Sequence, residues 1–367
     1  MDVTFWMHVL SPHLAPVIRE FARSHSVTIA TTNTFAHDRI GLGWKEAEIG
    51  GIDWIRVSQP SDIHRVHARQ TSPSHINLVG GFRGFKFAER ILQELTKDES
   101  RIGIISERPD TRGWPGRARR VLYFSRYLRL RKTVDFVLAM GTLGQTYFID
   151  IGWPAEKVFP YAYVTDSPSP PPHHCAGDFP GVQMVYVGQF IHRKGGDILL
   201  RALATMNRQG WRCSFVGAGD QREAWQAMSR NLNISNNVEF LPPVDMHEIP
   251  KLISQSDLLV LPSRFDGWGA VVNEAIMVGV PVVCSSACGA CDLVHGARGE
   301  VFESGQVSDL AGALRRRIES GPTTTSKRLQ LVDWAQRIDG HSGARYLTEV
   351  LQHIYGAGSR PQAPWLI

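Results

Sequence analysis

Long apolar runs are scarce in this chain of 367 residues. None approaches the roughly 18 residues that a helix needs to cross a bilayer. The opening stretch Met1–Leu10 is apolar but short. It has no basic start and no small-residue cleavage site after it, so it reads as a first β-strand and not as a signal peptide. Cysteine is scarce too: Cys175, Cys213, Cys284, Cys288 and Cys291 are the five residues. An odd number without a secretion signal points to reduced thiols in the cytoplasm, not to a disulfide framework. Metal-ligand patterns are lacking. Cys288-Gly289-Ala290-Cys291 is closely spaced, but no histidine cluster completes a zinc site, and a structural role is expected. The net charge is only +5. No fold signature or motif supports nucleic-acid binding.

What is present is a regular alternation. The hydrophobic fraction of 43 % and charged fraction of 20 % suit a globular chain with sizeable cores, and the length suits two domains. In the first half, strand-like runs at Thr4–Leu10, Val27–Thr31, Asp53–Val57, Ile102–Ser106 and Phe136–Ala139 alternate with helical spacing at His13–Ser24, Gly84–Lys97 and Gly116–Lys132. Such alternation predicts a parallel sheet with helices on its faces. The run Ser167-Pro168-Ser169-Pro170-Pro171-Pro172 then excludes helix and central strand and reads as a linker. His173 and His174 after it are better read as part of a solvated linker than as metal ligands.

The second half starts the pattern afresh. Strands are expected at Val182–Val187, Arg212–Val216, Val238–Leu241, Leu258–Leu261, Val280–Cys284 and Glu300–Phe302. Helices are expected at Gly196–Gln209, Arg222–Asn231, Met246–Ser254, Trp268–Val278, Ser326–Ile338 and Ser342–Tyr355. The fold expected is α/β: two Rossmann-like, doubly wound parallel-sheet domains facing a central cleft. Residues 1–165 form the first, 166–178 the linker and 179–340 the second, with a helix at 341–356 packing back on the first. Ligands of such sheets bind beyond the carboxyl ends of the strands.

Three loops of the second half carry chemistry. After Leu258–Leu261 comes Pro262-Ser263-Arg264-Phe265-Asp266-Gly267-Trp268-Gly269, then a helix containing Glu274. Gly267 and Gly269 allow close backbone approach, and unpaired N–H groups at the helix start suit a phosphate. Asp266 and Glu274 suit hydroxyl donors of a sugar and a ribose rather than the phosphate itself. An ordinary helix N-terminus with an acidic first turn reads the loop equally well. The loop Gly188-Gln189-Phe190-Ile191-His192-Arg193-Lys194-Gly195-Gly196 sets Arg193 and Lys194 where a diphosphate needs cations. Alone it would read as an exposed basic turn. Gly217-Ala218-Gly219-Asp220 is a third glycine loop on the same edge, and the convergence of three is what a nucleotide diphosphate requires.

At this point the residues resemble the family-4 retaining glycosyltransferases of GT-B fold. That family has an acid, seven residues and a second acid across this strand, loop and helix. Here Asp266 to Glu274 keeps the spacing, with Gly269, Glu274-Ala275, Gly279-Val280-Pro281-Val282-Val283 and Gly299-Glu300-Val301-Phe302 matching. The resemblance covers residues 182–320 and is architectural before that. It implies transfer of a sugar, with retained anomeric configuration, from a nucleotide-sugar to a glycan or lipid-linked acceptor. The pathway implied is that of cell-surface polysaccharide or lipopolysaccharide, with a UDP-sugar as donor. It implies Lys194 and Asp266 as catalytic residues. It implies donor contacts from Gly188, Arg193, Lys194, Gly217, Asp266, Gly267, Trp268, Gly269 and Glu274. No metal or other cofactor is expected. Three departures stand out: Asp266 is shorter than the family's Glu, Gln189 stands where many members carry arginine, and Ser11-Pro12-His13 replaces a glycine pair.

On the acceptor side, His13 after the first strand and Glu107 after Ile102–Ser106 are candidate contacts, each with a structural or surface role as alternative. Residues 112–132 hold Arg112, Arg117, Arg119, Arg120, Arg126, Arg129, Arg131 and Lys132 with no acid between them. Trp114, Val121, Leu122, Tyr123, Phe124, Tyr127, Leu128 and Leu130 interleave. A basic amphipathic helix of this kind meets an anionic membrane or anionic acceptor, or else packs its apolar face on the sheet. The expected location is therefore cytoplasmic, peripheral to the inner face of the cytoplasmic membrane. A sugar-nucleotide epimerase of the same fold and a non-catalytic sugar-nucleotide binder are the rival readings.

Overall fold

The computed structural model describes residues 1–32, 48–70, 72–81, 86–166, 179–207 and 209–367. The proline run with His173, His174 and Cys175 lies outside the described residues. The described chain divides into two compact units, one of residues 1–32, 48–166 and 338–367, the other of 179–337.

The first unit is built on β1 (Asp2–Met7), β2 (Ser26–Thr31), β3 (Asp53–Arg56), β4 (Ile76–Gly80), β5 (Arg101–Ser106), β6 (Phe136–Met140) and β7 (Val158–Tyr161). Its helices are α1 (Ala15–Phe21), α2 (Pro60–Ala68), α3 (Lys86–Leu95), α4 (Gly113–Leu130) and α5 (Gly141–Asp150). The strand order is β3-β2-β1-β4-β5-β6-β7, and every pair is parallel. Strands buried on both faces explain the near-continuous apolar runs. The core includes Trp6, Val79, Ile91, Leu92, Ile104, Val137 and Phe148.

Two of these strands escape the apolar pattern for physical reasons. β4 carries Asn77, which is 1 % exposed. Its side-chain oxygen accepts from Trp6 Nε1 at 2.7 Å and Gln70 Nε2 at 2.8 Å, so the polar atom is satisfied inside the sheet. β7 contains Pro160, which an edge strand tolerates.

The second unit has β8 (Val182–Val187), β9 (Trp211–Val216), β10 (Val238–Leu241), β11 (Leu258–Leu261), β12 (Val282–Ser285) and β13 (Gly299–Phe302). Its helices are α6 (Gly196–Ala204), α7 (Arg222–Asn231), α8 (Ile249–Ser254), α9 (Val271–Met277), α10 (Val307–Glu319) and α11 (Thr325–Ala335). The order β10-β9-β8-β11-β12-β13 is again all parallel. The order reverses between β8 and β11, the topological switch point where such sheets take ligands. An aromatic cluster of Tyr186, Phe190, Phe215, Trp225 and Phe240 fills the core beneath β8 and β9. The helix expected from Trp268 begins instead at Val271, because Gly269 at φ +93° bends the chain first.

The last helix, α12 (Gly340–Tyr355), belongs to the first unit and packs against α1. The Asp339 side chain caps it by accepting from Ser342 N at 2.7 Å. Tyr346 Oη donates to Pro160 O at 2.9 Å, and Tyr355 Oη to Asp135 Oδ2 at 2.7 Å.

Candidate active site

The basic loop leaves β8 and the acidic loop leaves β11, so adjacent strands deliver them to one edge. Phe190 is fully buried, with its ring 5.3 Å from that of Trp225, and it plugs the basic loop into the core. The chain then turns through a short 3₁₀ segment, His192–Lys194, closed by Gly195 at φ +72°. A Cβ on Gly195 would lie 2.1 Å from Pro262 O, so the two loops touch backbone to backbone there. Arg264 N donates to Arg193 O at 2.9 Å across the same seam.

Arg264 is the brace between the loops. Its guanidinium makes two 2.7 Å hydrogen bonds to Asp197, in the first turn of α6, and donates to His192 O at 2.7 Å. Planar fork-to-carboxylate pairing of this kind fixes geometry as well as charge. Burial pushes the Asp197 carboxyl up, but the Arg264 hydrogen bonds and charge outweigh it and leave the group below its usual value.

The predicted cations and the first predicted acid meet. Lys194 Nζ donates to Asp266 Oδ2 at 2.5 Å, and Arg193 Nη1 lies 3.8 Å from Asp266 Oδ1 while donating to Phe265 O at 2.9 Å. The Lys194 side chain is 17 % exposed and that of Asp266 12 %, so the pair is largely out of water yet open on one side. Asp266 is held from behind as well: its N–H donates to Ala287 O at 3.3 Å and its carbonyl accepts from Gly289 N at 3.2 Å.

Glu274 sits on the first turn of α9, 8 % exposed. Burial alone pushes its carboxyl up to about 7. The Trp268 indole is buried and donates to Asn273 Oδ1 at 2.8 Å, so its side chain is engaged within the unit. A Cβ on Gly217 would lie 2.0 Å from Gly188 O, so Gly217 is needed where the β8 and β9 loops close on each other. Phe190 N donates to Ala218 O at 2.7 Å along the same contact.

In the first unit, His13 follows β1 and Glu107 follows β5, at the same edge of that sheet. His13 is 9 % exposed, and its carbonyl accepts from Val164 N at 3.0 Å. Arg117, Arg119, Arg120 and Arg129 are exposed on α4, whereas Arg126 turns inward and lies 3.9 Å from Glu89. Cys288 Sγ donates to Trp268 O at 2.6 Å, and Cys284 and Cys288 are buried free thiols beneath the acidic loop. Among the described residues no cluster of His, Cys, Asp and Glu is arranged to hold a metal ion.

Sequence reasoning missed Arg264, Asp197 and Phe190. Phe190 had a signal, an apolar residue inside a polar loop. The Arg264–Asp197 pair had none, since the partners are 67 positions apart.

Residues 181–334 match the family model described as glycosyl transferases group 1, and these residues hold every loop of the second-unit site. A D-inositol 3-phosphate glycosyltransferase of Corynebacterium aurimucosum is 28 % identical over 176 residues, covering 46 % of this chain and 42 % of that protein. The chain thus spans under half the length of the curated relatives it matches. Among solved structures, Anabaena HepE in complex with UDP is similar with a TM-score of 0.71 at 19 % identity, covering 96 % of this chain and 100 % of that one. The apo form of the lipopolysaccharide outer core galactosyltransferase WaaB gives a TM-score of 0.68 at 17 % identity, over 95 % and 100 %. The chain has the GT-B fold of two Rossmann-like units, and the match to the glycosyl transferases group 1 model is confined to its second unit.

Proposed function

We propose that the chain is a retaining glycosyltransferase that moves a sugar from a nucleotide-sugar, with UDP as the carrier, to a glycan or lipid-linked acceptor in the cytoplasm. The observation that carries this reading is the Lys194–Asp266 contact at 2.5 Å, which joins the loops of adjacent strands at the switch point. A dianionic diphosphate is a better partner for Lys194 and Arg193 than a single carboxylate. Its arrival takes the ammonium over and frees Asp266 to accept from hydroxyls of the donor sugar. Lys194 then stabilises the charge that develops on the departing diphosphate, a contribution that grows towards the transition state. Glu274 accepts from the ribose hydroxyls, and the main chain of Gly267, Trp268 and Gly269 lines the β-phosphate. Gly188 and Gly217 shape the floor.

Two neighbours support the finer parts. UDP is bound in the HepE structure, and WaaB is a lipopolysaccharide galactosyltransferase. The first favours a UDP-sugar donor and the second a lipopolysaccharide pathway. His13 and Glu107 are the acceptor contacts of this proposal.

The test is nucleotide release from a panel of UDP- and GDP-sugars, with and without candidate acceptors. Transfer predicts release that depends on acceptor. Isomerisation of the sugar without release would make the chain an epimerase. Donor binding with neither reaction, unchanged by Lys194→Ala, would leave only a binding protein.

A further inference from the structure

Helix α4 turns most of its large side chains outward. Its 18 residues bury only Gly116, Tyr123 and Leu130, a seam at seven-residue spacing. A helix whose apolar side packed on the sheet would hide its large side chains. Instead Trp114 is 79 % exposed, Val121 67 %, Phe124 46 % and Leu128 45 %. At 100° per residue these four lie within one side of the helix, away from the buried seam. Arg117 lies within this side, with Arg120 and Arg129 on its two flanks. Arg131 and Lys132 continue the cationic run beyond the last turn, and no carboxylate falls anywhere from residue 112 to 132.

Some of this charge is partly answered within the unit: Arg120 Nη2 lies 4.0 Å from Asp150 Oδ2, and Arg119 donates to the Asp110 carbonyl. Arg117, Arg129, Arg131 and Lys132 have no carboxylate within 4.0 Å among the described residues. The helix is not apolar enough to cross a bilayer.

We propose that α4 is a docking surface for an anionic lipid bilayer, lying in the plane of the headgroups. Trp114, Val121, Phe124 and Leu128 enter the boundary of the acyl chains, while Arg117, Arg120 and Arg129 meet the lipid phosphates. An exposed aromatic and aliphatic stripe flanked by cations is the composition of interfacial helices. Charge decides between occupants. A second copy of this helix would set arginines against arginines with no acid to answer them, whereas an anionic bilayer complements every cation on the face. The inference concerns the first unit and does not need the donor site of the second.

The experiment is flotation of the whole chain with vesicles of phosphatidylglycerol mixed into phosphatidylcholine, against phosphatidylcholine alone. Binding is expected to the anionic vesicles, to fall as salt is raised, and to weaken by roughly tenfold or more in Arg117→Gln/Arg129→Gln and in Phe124→Ser/Leu128→Ser. All four positions are exposed, so the melting temperature should hold. Its shift on adding a UDP-sugar should hold too, which separates this proposal from the reading of the donor site. Absent binding, or equal binding to neutral vesicles, would overturn the proposal. So would concentration-dependent dimerisation of the wild type that Phe124→Ser/Leu128→Ser abolishes, which would give the face to a second copy.

Discussion

The two units share the strand order 3-2-1-4-5-6, to which the first adds a seventh edge strand, and they carry different chemistry on it. In the second unit the loops after β8, β9, β11 and β12 are stitched together, through Phe190–Ala218, Arg193–Arg264, Asp266–Ala287 and the Arg264–Asp197 fork. Charges on that rim cannot relax away, and fixed charges are what stabilising a departing anion requires. In the first unit the corresponding edge offers His13 and Glu107, and the strongest chemical character lies on the outer face of α4. Exposed arginines and aromatics on a helix fix nothing and suit a fluid partner. On the two proposals above, one scaffold carries a rigid edge for a small anion and a soft face for an extended surface.

The sharpest way to break the comparison is Lys194→Ala. If the braced rim does the chemistry, turnover should fall about 10³-fold, or about 4 kcal/mol of transition-state stabilisation. Steady-state kinetics with saturating donor checks it, and unimpaired turnover would take Lys194 out of the reaction. Loss of Lys194 also leaves Asp266 mostly buried without its nearest cation. Melting temperatures of Lys194→Ala and Lys194→Ala/Asp266→Ala therefore tell folding from chemistry: the double variant should recover stability and not activity.

Next in size is Arg264→Ala, which removes the brace while leaving every residue assigned to the donor in place. Cutting a largely buried, two-pronged pair should cost about 2–3 kcal/mol of stability. It should also raise the donor KM more than it lowers kcat, because the loops lose registration before they lose charge. Arg264→Lys, with a point charge in place of a fork, should recover stability only in part. A full recovery would mean that charge alone, and not the planar geometry, holds the rim.

Glu274→Gln should be smaller and should pull in two directions. Its carboxyl is raised to about 7 in the fold from an ordinary 4.5, so the folded state holds the proton more tightly than the unfolded chain does. Between those two values the unfolded state binds fewer protons, and stability therefore declines as pH rises from about 4.5 to about 7. The glutamine variant lacks this decline and should be more stable than the parent at pH 8, by about 1–3 kcal/mol. If ionised Glu274 accepts from ribose hydroxyls, the parent's donor affinity should rise with pH through about 7. The variant should bind roughly tenfold more weakly at pH 8 and show no such dependence. Calorimetric titration across pH 5.5–8.5, as an experimental range of about three units, would expose a flat parent profile and so remove the ribose contact.

The second unit was legible because its chemistry is local. The acidic loop and its helix lie within a few residues of one another, and glycines mark where backbones touch. The loops of β8 and β11 also fall on adjacent strands once the alternation is recognised. Less was legible wherever pairing across the sequence decides. β4 carries Asn77 in mid-strand, where Trp6 and Gln70 from other segments satisfy it, and Arg264 looks like one more loop cation until Asp197 meets it. For α4 the composition was plain and the orientation was not. The same residues permit an apolar face turned inward or outward, and only the fold shows Gly116, Tyr123 and Leu130 taking the buried seam.

The smallest expected effect sharpens the comparison from the other side. His13 stands at the edge of the first unit, nearly buried, with its ring 6.2 Å from that of Tyr163 and its carbonyl engaged by Val164. As an acceptor contact it would contribute through one side-chain hydrogen bond, about 1 kcal/mol. His13→Asn should therefore raise the acceptor KM by roughly fivefold while donor affinity, measured by thermal shift with a UDP-sugar, stays unchanged. A purely structural histidine would instead lower the melting temperature and leave the acceptor KM alone. Should donor affinity drop with stability intact, the proposed division of labour between the two units would have to be redrawn, since a residue of the first unit would then be serving the donor.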